Sequence, residues 1–224
     1  MIDYDWDFQT VFRYRHLFID ALGTTLSLSI LVVAFGVIAG LVLAGMRRAH
    51  FAPFVWFATI FTELVRAVPP LVLLVWIYYC MPILLGLSFS AYTTTVVALG
   101  LYSAAFYAEI FRAGAQSIEK GLLEAGLSVG MTRPQSFRRI TAPLAFQRIL
   151  PPFVSQCVLV IKNTSLGSYI AVQELLYQGQ RVSIETFRPI EVLSTVAVVF
   201  IVIIVPLSTF ANIYEKRHRT KFGL

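Results

Sequence analysis

Long apolar runs alternate with short charged stretches along this chain, and the alternation predicts its elements. Residues about 19–46 are nearly all apolar, long enough to cross a bilayer at about 1.5 Å per residue. Arg47, Arg48 and His50 end that run. Similar runs cover about 90–114, 148–170 and 191–213. A further run, about 54–81, is interrupted by Glu63, Arg66, Pro69 and Pro70. Paired prolines remove helical hydrogen bonds, which is tolerated at membrane depth only against protein or a water-filled path. Pro82, Gly86 and Ser88 make the turn that follows. The acidic, aromatic residues 1–18 predict an external, interfacial segment with Trp6 and Tyr14 near the head groups. Residues about 171–190 read as a polar connector. Gly36 and Gly40 form a small-xxx-small pattern suited to close helix packing. The pattern as a whole predicts an all-α membrane protein with five transmembrane helices, one domain over 19–214.

One polar stretch between the runs is longer than a turn, about 115–147. It carries Lys120, Arg133, Arg138 and Arg139, and within it Val129-Gly130-Met131-Thr132 reads as a turn between two short helices. Gly130 supplies the positive φ that a tight helix end often needs. Glu124 could cap a helix or accept from an arginine of a partner; an ordinary surface helix–turn–helix is the competing reading. Gly126 weakens the first helix by roughly 1 kcal/mol relative to alanine.

Composition agrees with the pattern. Of 224 residues, 58% are hydrophobic and 13% charged, with a mean hydropathy of +0.76. A soluble domain carries more charge. The formal charge of +6 would suit nucleic acid, but in a membrane protein basic residues mark cytoplasmic loops. Arg47, Arg48, Arg112, Lys120, Arg133, Arg138, Arg139, Arg148, Lys216, Arg217, Arg219 and Lys221 fall on one side of a five-span topology. Arg13, Arg15, Arg181 and Arg188 fall on the other. The asymmetry predicts an external N-terminus, a cytoplasmic 115–147 loop and a cytoplasmic basic tail over 215–224. The start, Met1-Ile2-Asp3-Tyr4, lacks the basic region of a signal peptide, so the first span is expected in the mature protein. Cys80 and Cys157 sit inside apolar runs as packing residues.

No phosphate loop, dinucleotide fingerprint or H-E-x-x-H motif occurs, so no ATP or other cofactor is expected on this chain. His16, His50 and His218 lie near span ends, far apart, and suggest no metal. Ionisable residues inside spans call for a functional reading. Glu63 and Arg66 stand at i,i+3 and read as a buried structural ion pair or as a substrate contact. Lys162, Asn163, Thr164 and Ser165 cover most of a helical turn, so part of it must meet water or protein; Lys162 holds a carboxylate or snorkels. Glu109 and Arg112 read as a solvated pair near the cytoplasmic end, with a mild effect expected for Glu109→Ala.

Several of these segments resemble one family. Glu124-Ala125-Gly126, then Gly130, then Ile140-Thr141-Ala142-Pro143 is similar to the EAA loop of ATP-binding-cassette (ABC) importer permeases, with Gly126 for Ala and Ala142 for Leu. Glu63-Leu-Val-Arg66-Ala-Val-Pro69-Pro70-Leu71, Phe106-Tyr-Ala-Glu109-Ile-Phe-Arg112-Ala-Gly114 and Lys162-Asn163-Thr164-Ser165-Leu166 resemble segments of the polar amino acid uptake permeases. Asp5-Trp6 and Phe51-Ala-Pro-Phe-Val-Trp-Phe57 look most like the glutamate/aspartate branch. The resemblance implies a type I importer permease in a bacterial inner membrane. It implies an external amino acid binding protein, an ATPase dimer that uses ATP, and a second, homologous permease in a heterodimer. On this reading Glu124, Ala125, Gly126 and Gly130 couple to the ATPase, and Arg66, Lys162, Asn163, Thr164 and Ser165 line the path. Asn163 stands where the family usually has Asp, which argues for an acidic or neutral polar amino acid over a cationic one. A gradient-driven secondary amino acid transporter is the alternative; it leaves the EAA-like spacing unexplained. An intramembrane enzyme lacks a nucleophile–base pair or metal cluster.

Overall fold

The computed structural model describes residues 4–222, without the side chains of Lys120, Asn212 and 214–222. The expected tail over 215–224 therefore lies outside the described residues in its side chains and its last two positions. Among the described residues every regular element is helical. A short helix α1 (Gln9–Arg13) leads into α2 (Arg15–Met46). Then come α3 (Ala52–Ala67), α4 (Pro70–Leu85) and α5 (Ala91–Gln116). The polar loop holds α6 (Lys120–Ser128), α7 (Arg133–Ser136) and a π-helical turn (Phe137–Thr141). The chain continues through α8 (Ala142–Asn163), a 3₁₀ segment (Thr164–Ile170), α9 (Leu175–Thr186) and α10 (Pro189–Phe222).

Four stretches are long and apolar enough to cross a membrane, and a fifth results if α3 and α4 count as one broken span. Those two helices meet at 105°. The cause is local. Val68 precedes a proline and is extended, Pro69 is extended too, and Pro70 starts a new helix where its missing N–H costs nothing. The paired prolines thus produce a sharp corner in place of a kinked single helix.

The core is built on α2 against α5. A Cβ on Gly40 would lie 2.7 Å from Tyr107 Cβ, and one on Gly36 would lie 3.0 Å from Ser103 Cβ. The small residues let the two backbones approach, as the pattern predicted. Tyr107 is wholly buried there, and its hydroxyl meets Cys157 Sγ at 3.3 Å, tying in α8.

The outer end departs from expectation. The polar connector over 171–190 contains α9, a helix docked into the core. Leu175, Gln178, Gly179 and Val182 are buried at i, i+3, i+4 and i+7, a stripe a helix presents on one face. Leu175 and Val182 pack with Phe18, Ala21, Val192 and Val196. Glu174 caps α9, accepting from Leu176 N–H at 3.0 Å and Tyr177 N–H at 2.7 Å. Leu175 N–H donates to Thr25 Oγ1 at 3.1 Å, which fastens the connector to α2.

The N-terminal segment is clasped to the start of α10. Tyr4 hydroxyl donates to Glu191 Oε2 at 2.6 Å, and Asp7 N–H donates to Oε1 at 3.0 Å. Arg188 lies 3.6 Å from the same carboxylate and donates to Asp5 carbonyl. Glu191 is fully buried under these contacts. Trp6, Phe8 and Phe12 remain exposed, as an interfacial segment requires.

Candidate functional site

Two groups of residues came forward from the sequence, and the fold carries them on different elements. The first group comprises the ionisable and polar residues within spans. Glu63 and Arg66, on the last turn of α3, form an ion pair at 3.7 Å. The pair is not buried within this chain: the Glu63 side chain is 61% exposed and Arg66 35%. The expectation of a buried couple is corrected accordingly. Arg66 also lies over the Phe106 ring, 5.5 Å from its centroid, which sets the guanidinium against α5. Both groups face away from the chain's own core.

Lys162 ends α8 and is exposed, with no ion pair among the described residues. With Ser165 it lines a cavity of about 450 Å³ walled by Ala197, Phe200 and Ile204 of α10. Asn163 is half-buried at the point where α8 tightens into the 3₁₀ segment. Thr164 differs from its neighbours. It is fully buried, and its hydroxyl donates to Ile161 carbonyl at 2.7 Å. Ser165 likewise donates to Lys162 carbonyl at 2.7 Å. These hydroxyls satisfy carbonyls that the change of helix type leaves free.

The second group is the polar loop. Of the described side chains in α6, only Gly126 is buried. Leu122, Leu123 and Leu127 are exposed by more than a third, and Val129 by 75%. A Cβ on Gly126 would lie 2.8 Å from Ser136 Oγ and 2.9 Å from Ile140 Cδ1. Glycine here lets α6 rest directly on α7 and the π-helical turn, which explains the departure from alanine. Gly130 has φ +85, and the turn closes with Gly130 N–H to Leu127 carbonyl at 3.0 Å and Met131 N–H to Gly126 carbonyl at 3.1 Å. Thr132 and Gln135 then form a capping box for α7. That T-x-x-Q signal was present in the sequence and had not been read. Glu124 is exposed on α6 and Ala125 beside it is exposed too, so both are available to a partner.

A third cluster was misjudged. Glu109 is not simply solvated with Arg112. Its carboxylate also accepts from Arg47 Nη1 at 2.9 Å, joining the end of α2 to α5. Arg112 Nε donates to both its oxygens, at 3.0 and 3.1 Å. The Arg47 side chain is only 13% exposed. Nothing in the local spacing links Arg47 to Glu109, because they lie 62 residues apart. Arg148 adds a tie of the same kind, donating to Ser117 carbonyl at the entry of the loop.

A broken span, polar residues at the end of another and an exposed apolar helix held by a glycine turn describe a membrane permease with a docking loop. The description "binding-protein-dependent transport system inner membrane component" matches residues 21–220. The chain belongs to that family. Among curated relatives, the glutamine transport system permease protein GlnP of Escherichia coli (strain K12) is 36% identical, with 96% of this chain and 98% of that one covered. The glutamate/aspartate import permease protein GltK of Escherichia coli O6:H1 is 29% identical, covering 96% and 99%. Among solved structures, a crystal structure of an amino acid ABC transporter with histidines superposes with a TM-score of 0.87 at 32% identity, covering 96% of this chain and 100% of that one. The family is that of ABC importer permeases, so this chain is the membrane component of such a system and not a gradient-driven transporter. Members of the family work with an ATPase and a binding protein.

Proposed function

We propose that this chain is a transmembrane permease subunit of an ATP-driven importer, forming the path for a polar, acidic or neutral, amino acid delivered by an external binding protein. The relatives named for glutamine and for glutamate/aspartate support that substrate class. Asn163 in place of a carboxylate points the same way. Arg66, Lys162, Asn163 and Ser165 line the path, and Thr164 holds the backbone behind them. The N-terminus is external, and the 115–147 loop and C-terminus are cytoplasmic, in a bacterial inner membrane. ATP is used by a separate ATPase dimer, a second homologous permease completes a heterodimer, and this chain binds no cofactor.

One observation carries the coupling role. Three leucines of α6 stay exposed on a loop that is otherwise basic and polar, a surface that a partner must cover. On this reading α6 docks on the ATPase through Leu122, Leu123, Leu127 and Glu124, and the turn at Gly130 transmits its movement. Glu124→Lys and Gly130→Asp are expected to leave the protein in the membrane, to reduce the ATPase that co-purifies with it, and to abolish uptake of labelled amino acid. Full uptake in both variants removes the coupling role. Uptake of labelled arginine alone, among glutamate, aspartate, glutamine and arginine, defeats the substrate class.

A further inference from the structure

A cavity of about 880 Å³ opens between α2, α5 and α8 beside the polar loop. Its wall is apolar, with Val37 and Leu41 from α2, Phe111 from α5 and Phe153 from α8. Its two charged lining residues come from one end: Arg48 just beyond α2 and Arg133 at the start of α7. Both are exposed, neither has an ion pair among the described residues, and no Asp or Glu lines the cavity. From Val37 to the end of α2 is roughly 14 Å at 1.5 Å per residue, the depth of about half a bilayer's hydrocarbon core. This is the shape of a site for an amphiphile with an anionic head and an apolar tail.

We propose that the cavity binds one anionic phospholipid of the cytoplasmic leaflet. Its phosphate sits between Arg48 and Arg133, and one acyl chain runs along Val37, Leu41, Phe111 and Phe153. The placement in that leaflet rests on the orientation proposed above. A phosphate between the two arginines neutralises charges that otherwise face each other across the opening. The tail fills apolar volume that water fills poorly. Because Arg133 belongs to the polar loop and Arg48 follows α2, the bound lipid ties the loop to the first span.

The test is native mass spectrometry of the chain purified with whatever subunits accompany it. Phosphatidylglycerol or phosphatidylcholine of equal chain length is added after delipidation. One phosphatidylglycerol per chain is expected to be retained, with a preference of about 25-fold, from about fivefold for each arginine. R48Q/R133Q is expected to bring the two lipids to parity, while R138Q/R139Q, in the same loop but outside the cavity lining, keeps the preference. Ala145→Trp, in the wall, is expected to displace both lipids. Equal retention by the parent protein, or a preference unmoved by R48Q/R133Q, overturns the proposal. So does displacement of the lipid by inorganic phosphate at equal concentration, which would make the arginines a simple anion site. Loss of the second permease in Ala145→Trp with the lipid count unchanged would make the cavity a subunit interface and overturn it too. Failure of the importer reading would appear elsewhere, as a missing ATPase beside an intact lipid preference.

Discussion

The two ends of this molecule close in opposite ways. At the outer end the chain is self-sufficient: α9 buries Leu175 and Val182, and Glu191 is sealed under Tyr4, Asp7 and Arg188. At the polar loop, α6 buries only Gly126 and leaves three leucines facing outward. Both segments join the same spans and both are about equally polar in sequence. The outer one is finished by the chain itself, and the inner one is left for another surface. A loop that must follow a moving partner cannot also be locked into its own core, because small shifts are transmitted only by elements with few fixed contacts. The outer clasp has the complementary job of holding the ends of α2, α9 and α10 together while the loop moves.

The largest effect should separate the two. Glu191→Ala removes the acceptor that Tyr4, Asp7 and Arg188 share, and leaves those donors facing a buried gap. It is expected to lower the melting temperature in detergent more than any other change considered, with uptake falling in step with folded protein. Leu127→Asp, on α6, is expected to leave the melting temperature near that of the parent and to reduce uptake about tenfold or more through the loss of apolar contact with a partner. Thermal melts of both variants beside uptake per milligram of membrane-inserted protein check the contrast. If Leu127→Asp lowers the melting temperature as far as Glu191→Ala, the loop is a structural element of this chain and the contrast fails.

What the sequence made legible follows the reach of each signal. Four of the five apolar runs became long helices, because length and hydropathy are local properties. The glycine turn at Gly130 and the packing of Gly36 and Gly40 were legible for the same reason. The right-angled corner at Pro69 was legible as an interruption and not as an angle, since the angle depends on what α4 packs against. The docking of α9 was hidden by its polar composition, although its i, i+3, i+4, i+7 stripe was there to be read. The Arg47–Glu109 link and the Glu191 clasp join residues 62 and up to 187 positions apart, and no local pattern carries such pairings. Among the site residues, exposure separated Lys162 from Thr164, a difference that four consecutive polar letters do not contain.

A smaller effect is expected where the spans themselves meet the loop. Glu109→Ala leaves Arg47 and Arg112 without their shared carboxylate, and Arg47 has little access to water. The expected cost is about 1–3 kcal/mol, the range for a half-buried charge that loses its partner. That exceeds the mild effect a solvated pair would give. A double-mutant cycle with Arg47→Gln and Glu109→Gln measures it: coupling well above that of exposed pairs, which is about 0.2–1 kcal/mol, supports the half-buried network, and coupling within that range returns the pair to ordinary surface status.

The finest discrimination concerns pH at the outer end. Glu174 is wholly buried at the start of α9, and burial pushes its carboxyl up to about 7, against the two backbone N–H donors that favour the charged form. A free glutamate titrates near about 4.3. Between those values the folded chain holds a proton that the unfolded chain has released, so stability falls as pH rises through the window and levels off above it. Glutamine keeps the shape and an acceptor for the helix start but does not titrate. Below roughly pH 5 the Glu174→Gln variant is therefore expected to melt with the parent, and above roughly pH 7 a few degrees higher. The parent's decline over that interval should be flattened in the variant. A decline of equal slope in both proteins would locate the titrating group elsewhere and leave Glu174 charged as an ordinary cap. A flattened one would mean that the outer end, unlike the loop, carries a buried proton as part of its closure.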